Sequence, residues 1–253
     1  MAHELQTAHP WKRLAAWMFD SILVGILAVG FGLLLSALLG YDGYSDTLDR
    51  AYETYETQYG VSFAITQTEF ASMDEAQQAN YTAAYEAFIA DEEAMYAYNM
   101  MISLSLTIIS LGVLLAVVLW EFVMPLWLGH GRTLGKKIFG LCLVRSDGVQ
   151  MNTMQLFTRS ILGKYAIETM IPVLVIMMIF WGTMGIGGTL VVASLTLGQL
   201  LSVLVTKSHS AIHDLLAGTV VVDYTSQTIF ATTEDLIAYQ KKLAAERAAR
   251  SPY

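Results

Sequence analysis

Between Asp20 and Asp42 the chain carries no charged side chain, and two further uncharged stretches run from Glu93 to Glu121 and from Glu168 to Lys207. Roughly 20 mostly apolar residues are enough to cross a bilayer as a helix. Inside the hydrocarbon a segment must satisfy its own backbone hydrogen bonds, which leaves helices or closed barrels. These runs are continuously apolar rather than alternating, so they predict helices. Composition agrees: 55% of the residues are hydrophobic and 14% charged, against about 25% charged in soluble domains. The expected fold class is an all-α integral membrane protein.

The first span is expected at 14–40 and the second at 99–128. The stretch 169–206 is too long for one ordinary span, and the glycine-rich GTMGIGG at 182–188 divides it into spans at about 166–184 and 188–206. Three spans with a re-entrant last segment are the alternative. Charge decides between them. Lys12 and Arg13 precede the first span; Arg132, Lys136, Lys137, Arg145, Arg159 and Lys164 lie in the 129–164 connection; Lys207, Lys241, Lys242, Arg247 and Arg250 lie in the tail. With four spans these bases share one side, which the positive-inside rule makes cytoplasmic together with both termini. The expected location is a bacterial inner membrane, multi-pass. The first apolar run is too long for a signal sequence, so a cleaved leader is not expected.

The net charge of −8 is unevenly spread, since residues 41–98 hold twelve acids and a single base, Arg50. That segment is expected to be an extracytoplasmic loop or small helical cap, with nine of the thirteen tyrosines and a capping box at Ser72 and Glu75. The remaining divisions are 1–40 for the N-terminus and first helix, 99–225 for the other membrane helices and their basic connection, and 226–253 for a tail. Two short β-like runs, at 141–145 before an Asp147-Gly148 turn and at 218–225, could pair on the inner side. An acidic membrane chain is a poor partner for nucleic acid, and one cysteine, Cys142, excludes an intramolecular disulfide.

Several polar residues sit where lipid would make them costly. Arg13 and Asp20 are seven residues apart and share a helix face within about 20°. An acid inside a membrane usually faces the bundle interior or a wet path, although Asp20 could also be merely interfacial. Glu121 and Glu168 lie near the inner ends of the second and third spans, and Asp214 just past the fourth. Four acids at similar depth could serve a cation or proton path; for Glu121 and Glu168 wet, structural helix ends are the more common case. Ser103, Thr107 and Ser110 give the second helix a polar side, and Thr196, Gln199, Ser202 and Thr206 give one to the fourth. Such groups more often bridge helices than bind ions. Ala28, Gly32, Ser36 and Gly40 form a small-residue packing seam on the first helix. The GHGRTLGKK stretch fails the spacing of a phosphate loop, with three residues between Gly131 and Gly135 and Lys137 in place of Ser or Thr. Lys136 and Lys137 could instead meet anionic lipid headgroups. His209 and His213 have i,i+4 spacing but no further ligand set beside them, so no metal or other cofactor is expected. No nucleophile–base pair emerges either, and an enzyme is not expected.

Three stretches in order resemble the RDD family of membrane proteins: KRLAAWMFDSILV with Arg13 and Asp20, GRTLGKKIFGLCLVRSDG with Gly131, Thr133, Gly135 and Lys136, and IHDLLAGTVVV with His213 and Asp214. The resemblance covers 11–40 and 100–223. It implies a transport-related membrane protein, some relatives being associated with monovalent cation/proton antiport and others with protein quality control. On that basis Asp20 and Asp214 are expected to exchange protons for cations, with Arg13 favouring their ionised forms, and Glu121 and Glu168 are further candidates. The competing expectation is a non-transporting scaffold or accessory subunit in which the Arg/Asp set is structural. The expected partners are membrane lipids, monovalent cations and protons, and a homo-oligomer, because four helices enclose little.

Overall fold

The computed structural model describes residues 5–180, 182, 184–206 and 210–250. Four helices are long and apolar enough to cross a membrane: Pro10–Leu39, Glu92–Leu128, Thr153–Phe180 and Ile186–Val205. The count matches the sequence reading, but the third helix starts at Thr153 rather than near 166. Arg159 and Lys164, counted above as bases of a connecting loop, therefore belong to a helix long and apolar enough to cross a membrane. Their charges hide that helix from a hydropathy argument, and the acids that balance them come from elsewhere in the chain. Lys207 and His209 lie outside the described residues, and with His209 goes one half of the histidine pair.

The chain forms two compact units, residues 29–112 and residues 1–28 with 113–253. In the first, the end of the leading membrane helix passes through Gly40, at φ 67°, into a helix Tyr41–Tyr59. Two shorter helices follow, Gln67–Ser72 and Glu75–Ala90. The capping box lies two residues beyond the expected one. Asp74 caps the second of these helices and Gln77 returns the bond, while Ser72 ends the preceding helix. Asp74 precedes the first helical residue, the position from which a short carboxylate reaches the free amides. A second box, Thr66 with Glu69, opens the Gln67–Ser72 helix. The core is aromatic: Leu48 and Phe88 are buried with Tyr52, Tyr55 and Phe63 around them, and Tyr52 stacks on Phe88 at 4.8 Å. Along the membrane helices of this unit, Gly32 lies at packing distance from Ile108, where an added Cβ would find it at 3.8 Å.

The other unit carries a two-stranded antiparallel sheet. Strand β1, Leu141–Arg145, pairs with strand β2, Thr219–Asp223, in the register Leu141↔Asp223 through Arg145↔Thr219. Both faces are covered. Leu141, Leu143 and Val221 pack with Ala8 and Ala16, whereas Cys142, Val144, Val220 and Val222 pack with Leu5 and Ile229. Burial pushes the Cys142 thiol up to about 12, which leaves it inert. The N-terminal residues extend the sheet, with the Ala8 amide donating to Val221 and the Asp223 amide to Gln6. The leading membrane helix thus starts from a fixed point on β2.

Two membrane helices are wound as π-helix where they carry charge, Val118–Val123 around Glu121 and Thr158–Met170 from Arg159 past Glu168. A π-turn widens the helix and frees main-chain groups for other partners. The Ser160 hydroxyl uses one, donating to the Glu121 carbonyl at 2.6 Å and tying the two segments together.

Candidate functional site: a buried ionic network

The GRTLGKK stretch is a close-packed turn around Asp20. Gly131 sits at φ 62°, and a Cβ there would fall 2.3 Å from Met151 and 2.9 Å from Leu143. Thr133 caps the short Leu134–Ile138 helix. Gly135 lets the turn approach the first membrane helix, since its Cβ would lie 2.6 Å from the Ala16 carbonyl oxygen. Asp20, 2% exposed, closes the arrangement. Its Oδ1 accepts from the Gly135 amide at 2.9 Å and from Trp120 Nε1 at 3.0 Å, and its Oδ2 accepts from the Thr133 hydroxyl. Lys136 donates from Nζ to the Thr133 oxygen at 3.2 Å and stands 3.8 Å from Asp20 and 3.7 Å from Glu121. Burial lowers the Lys136 ammonium to about 8, even though Glu121 and Asp20 favour its charge.

A second knot surrounds Arg159. Its Nε donates to Asp214 at 2.7 Å, and its Nη1 stands 3.7 Å from Glu121. Arg13 reaches the same Asp214 at 3.7 Å. Burial alone would raise Asp214, but the guanidinium groups of Arg159 and Arg13 outweigh it and hold the carboxyl well below the usual carboxylate range. Glu121 is also paired with Lys164. Glu168 accepts from the His213 amide at 2.9 Å and meets its Nδ1 at 2.7 Å.

His213 links Glu168 to Arg159. Its Nε2 lies 3.0 Å from Arg159 Nη2, which can only donate. Nε2 is therefore the acceptor, and Nδ1 carries the proton that goes to Glu168. Burial pushes the imidazole below its ordinary value, in keeping with a neutral ring. The short helix Ile212–Ala217 comes this close because Gly163 has no side chain; a Cβ there would fall 2.5 Å from that of His213.

The five sequence candidates thus gather into one network, joined by Lys136 and His213 from the motif set. Arg159, Lys164, Trp120 and Gly163 complete it, and the sequence reading assigned none of them a part. The nearest sequence signal for the two bases was their position ahead of an apolar run, as with Lys12 and Arg13. Trp120 and Gly163 gave none. With His213 neutral, the charges of Arg13, Lys136, Arg159 and Lys164 match those of Asp20, Glu121, Glu168 and Asp214. Two buried atoms of this network, Glu121 Oε2 and Arg159 Nη1, have no hydrogen-bond partner among the described residues.

Two half-enclosed cavities flank the network. One, of about 420 Å³, is lined by Glu121, Lys164 and Glu168 with Ser21, Thr169, Thr196 and Gln199. The other, of about 300 Å³, takes in Arg13, Lys136, Arg159, Asp20 and Asp214. Among the described residues no cluster of His, Cys, Asp and Glu has the makings of a metal site.

A family model described as the RDD family matches residues 7–218, which takes in all four apolar helices and both knots. No curated protein and no solved structure matches the chain.

Proposed function

This chain belongs to the RDD family, and from that premise we propose that it is a transport-related membrane protein exchanging monovalent cations for protons. The observation that carries the reading is the larger cavity. It presents two carboxylates, Glu121 and Glu168, among the hydroxyls of Ser21, Thr169 and Thr196 and the amide of Gln199, on helices apolar enough to span a membrane. Hydroxyl, amide and carboxylate oxygens are the ligands that hard monovalent cations take in place of water. Polar groups at such depth are expensive in lipid and mark pathways when they line a wet cavity.

Within this reading Glu168 is the exchanging group. Its side chain keeps 18% of its surface exposed, against 5% for Glu121 and 1% for Asp214, and it shares a hydrogen bond with a histidine. A proton arriving on Glu168 releases His213 Nδ1–H; a cation displaces that proton and restores the pair. Asp20 and Asp214, each held by several donors, position the turn and the Arg159 knot rather than exchange. The connection after the second helix and the tail would face the cytoplasm across a bacterial inner membrane, and the acidic segment outside would gather cations near the mouth. Four helices make a narrow path, so a homo-oligomer accompanies this reading.

The test is cation-driven pH change in proteoliposomes of purified protein. Glu168→Gln should abolish a Na⁺- or K⁺-dependent signal with folding intact, whereas Asp20→Asn should chiefly lower thermal stability. A second reading, a scaffold or accessory subunit, is favoured by the full set of donors on Asp20. No signal from wild-type protein, in liposomes where a known antiporter works, would establish it instead.

A further inference from the structure

The charge-matched network is not symmetric in space. Its acids Glu121 and Glu168 line the larger cavity, where Lys164 is the sole cationic side chain among the described residues. The smaller cavity has the opposite bias: Arg13, Lys136, Arg159 and Lys164 line it against two carboxylates, Asp20 and Asp214. Asp20 already accepts from Trp120, Thr133 and Gly135, so little of its acceptor capacity is left. Arg159 Nη1 is buried and faces Glu121 Oε2 at 3.7 Å, away from this cavity, whereas the Arg13 side chain keeps 15% of its surface exposed. A wall of four bases against two carboxylates that are already engaged calls for an anion with several acceptor oxygens.

The cavity's place in the fold narrows what that anion is. Its walls are the first turns of the leading membrane helix, from Pro10 to Asp20, the last turns of the fourth at Gln199 and Val203, and the residues Ala211, His213 and Asp214 just beyond. The uncharged stretch that starts after Asp20 is itself long enough to fill a hydrocarbon core of about 30 Å. The cavity therefore lies at the level where lipid headgroups begin. Its rim is apolar, with Leu14 41% and Trp17 56% exposed. A cationic interior with an apolar lip suits a headgroup phosphate whose acyl chains pass over Leu14, Trp17 and Val203.

We propose that the cavity between the start of the first membrane helix and the end of the fourth is a binding site for an anionic phosphate group, supplied by a phospholipid headgroup. The site does not include Glu168 and does not depend on cation exchange. Occupancy would bring a further acceptor to Arg13 and bind the first and fourth helices to one molecule.

The experiment uses the full-length protein in detergent with phosphatidylglycerol, phosphatidylcholine or inorganic phosphate as probes. Native mass spectrometry should show phosphatidylglycerol retained at about one per chain and phosphatidylcholine not, with a matching rise in thermal stability. Arg13→Gln should cut that retention at least tenfold, while Lys137→Gln, a base outside the cavity, should leave it unchanged. Equal retention of the two lipids, or full retention in Arg13→Gln, overturns the proposal. Protection by inorganic phosphate as strong as that by phosphatidylglycerol keeps the anion site and assigns it to the soluble ion. Should Arg13→Gln fail to fold, brominated lipids give an independent reading. Brominated phosphatidylglycerol should quench the fluorescence lost in Trp17→Phe more than brominated phosphatidylcholine does, and equal quenching refutes the site.

Discussion

The two compact units of this chain are held together by opposite chemistries. In residues 29–112 the charges face solvent and the interior is aromatic, built on Phe88, Tyr52, Tyr55 and Phe63. In the other unit Asp20, Glu121, Lys136, Arg159 and Asp214 are all buried, while Trp17, Ile176, Leu200 and Leu204 are exposed. The difference follows from the surroundings each surface meets. Water drives aromatic rings inward in a cap rich in acids. Lipid is as apolar as leucine, so burying leucine between membrane helices gains little, and packing and polar contacts hold the helices instead.

Arg159→Met should break this contrast most severely. It removes the donor that holds Asp214 and the cation beside Glu121, and stranding a buried charge costs about 3–5 kcal/mol. Loss of folded protein on size exclusion in detergent is the expected result, with little monodisperse material left to assay.

Phe88→Ala strikes the aromatic unit. Removing a buried ring there should cost about 3 kcal/mol. Hydrogen exchange should speed up across 41–98 and stay unchanged at β1 and β2. Faster exchange in both regions would mean that the two units share one cooperative transition.

Asp20→Asn is a milder break in the ionic unit. The amide oxygen can still accept from Gly135 and Trp120, but the NH₂ group faces the Thr133 hydroxyl, which already accepts from Lys136. A mismatched buried hydrogen bond costs about 1–3 kcal/mol, to be read as a lower thermal midpoint in detergent.

Acidification should give the smallest effect, and it sharpens the comparison by acting on one unit. His213 has its pKa depressed below the ordinary 6.5, so the unfolded chain takes up a proton at a pH where the folded ring, facing Arg159, Glu168, Asp214 and Lys164, stays neutral. The stability from this residue is present above pH 6.5 and is lost as pH falls through the lower folded value. His213→Gln should flatten that slope, and nitrogen NMR at pH 6.5 should show a neutral ring protonated at Nδ1.

Much of this protein is legible in its sequence, and the reason is lipid. A spanning helix announces itself by length and lack of charge, so four spans could be counted from uncharged runs. The antiparallel partners Leu141–Arg145 and Thr219–Asp223 were visible as short β-like runs. Short-range motifs were legible to within a few residues, as the shift of the capping box from Ser72 to Asp74 shows. The family could be recognised because Arg13, Asp20, the GRTLGKK turn and Asp214 stand in a fixed order.

Tertiary structure alone decided what those residues do. That Arg159 and Lys164 lie in a helix long and apolar enough to cross a membrane depends on Asp214 and Glu121, partners 55 and 43 residues away. Hydropathy adds up residues along the chain, but the cost of burying a charge is settled by whatever neutralises it in space. Asp20 teaches the same lesson: its position left a buried and an interfacial acid both open, and only the fold supplied Trp120, Thr133 and Gly135 to donate to its oxygens. The need for glycine at 131, 135 and 163 is likewise invisible along the chain. It arises from Leu143, Ala16 and His213, side chains and backbone that reach those points only once the helices have packed.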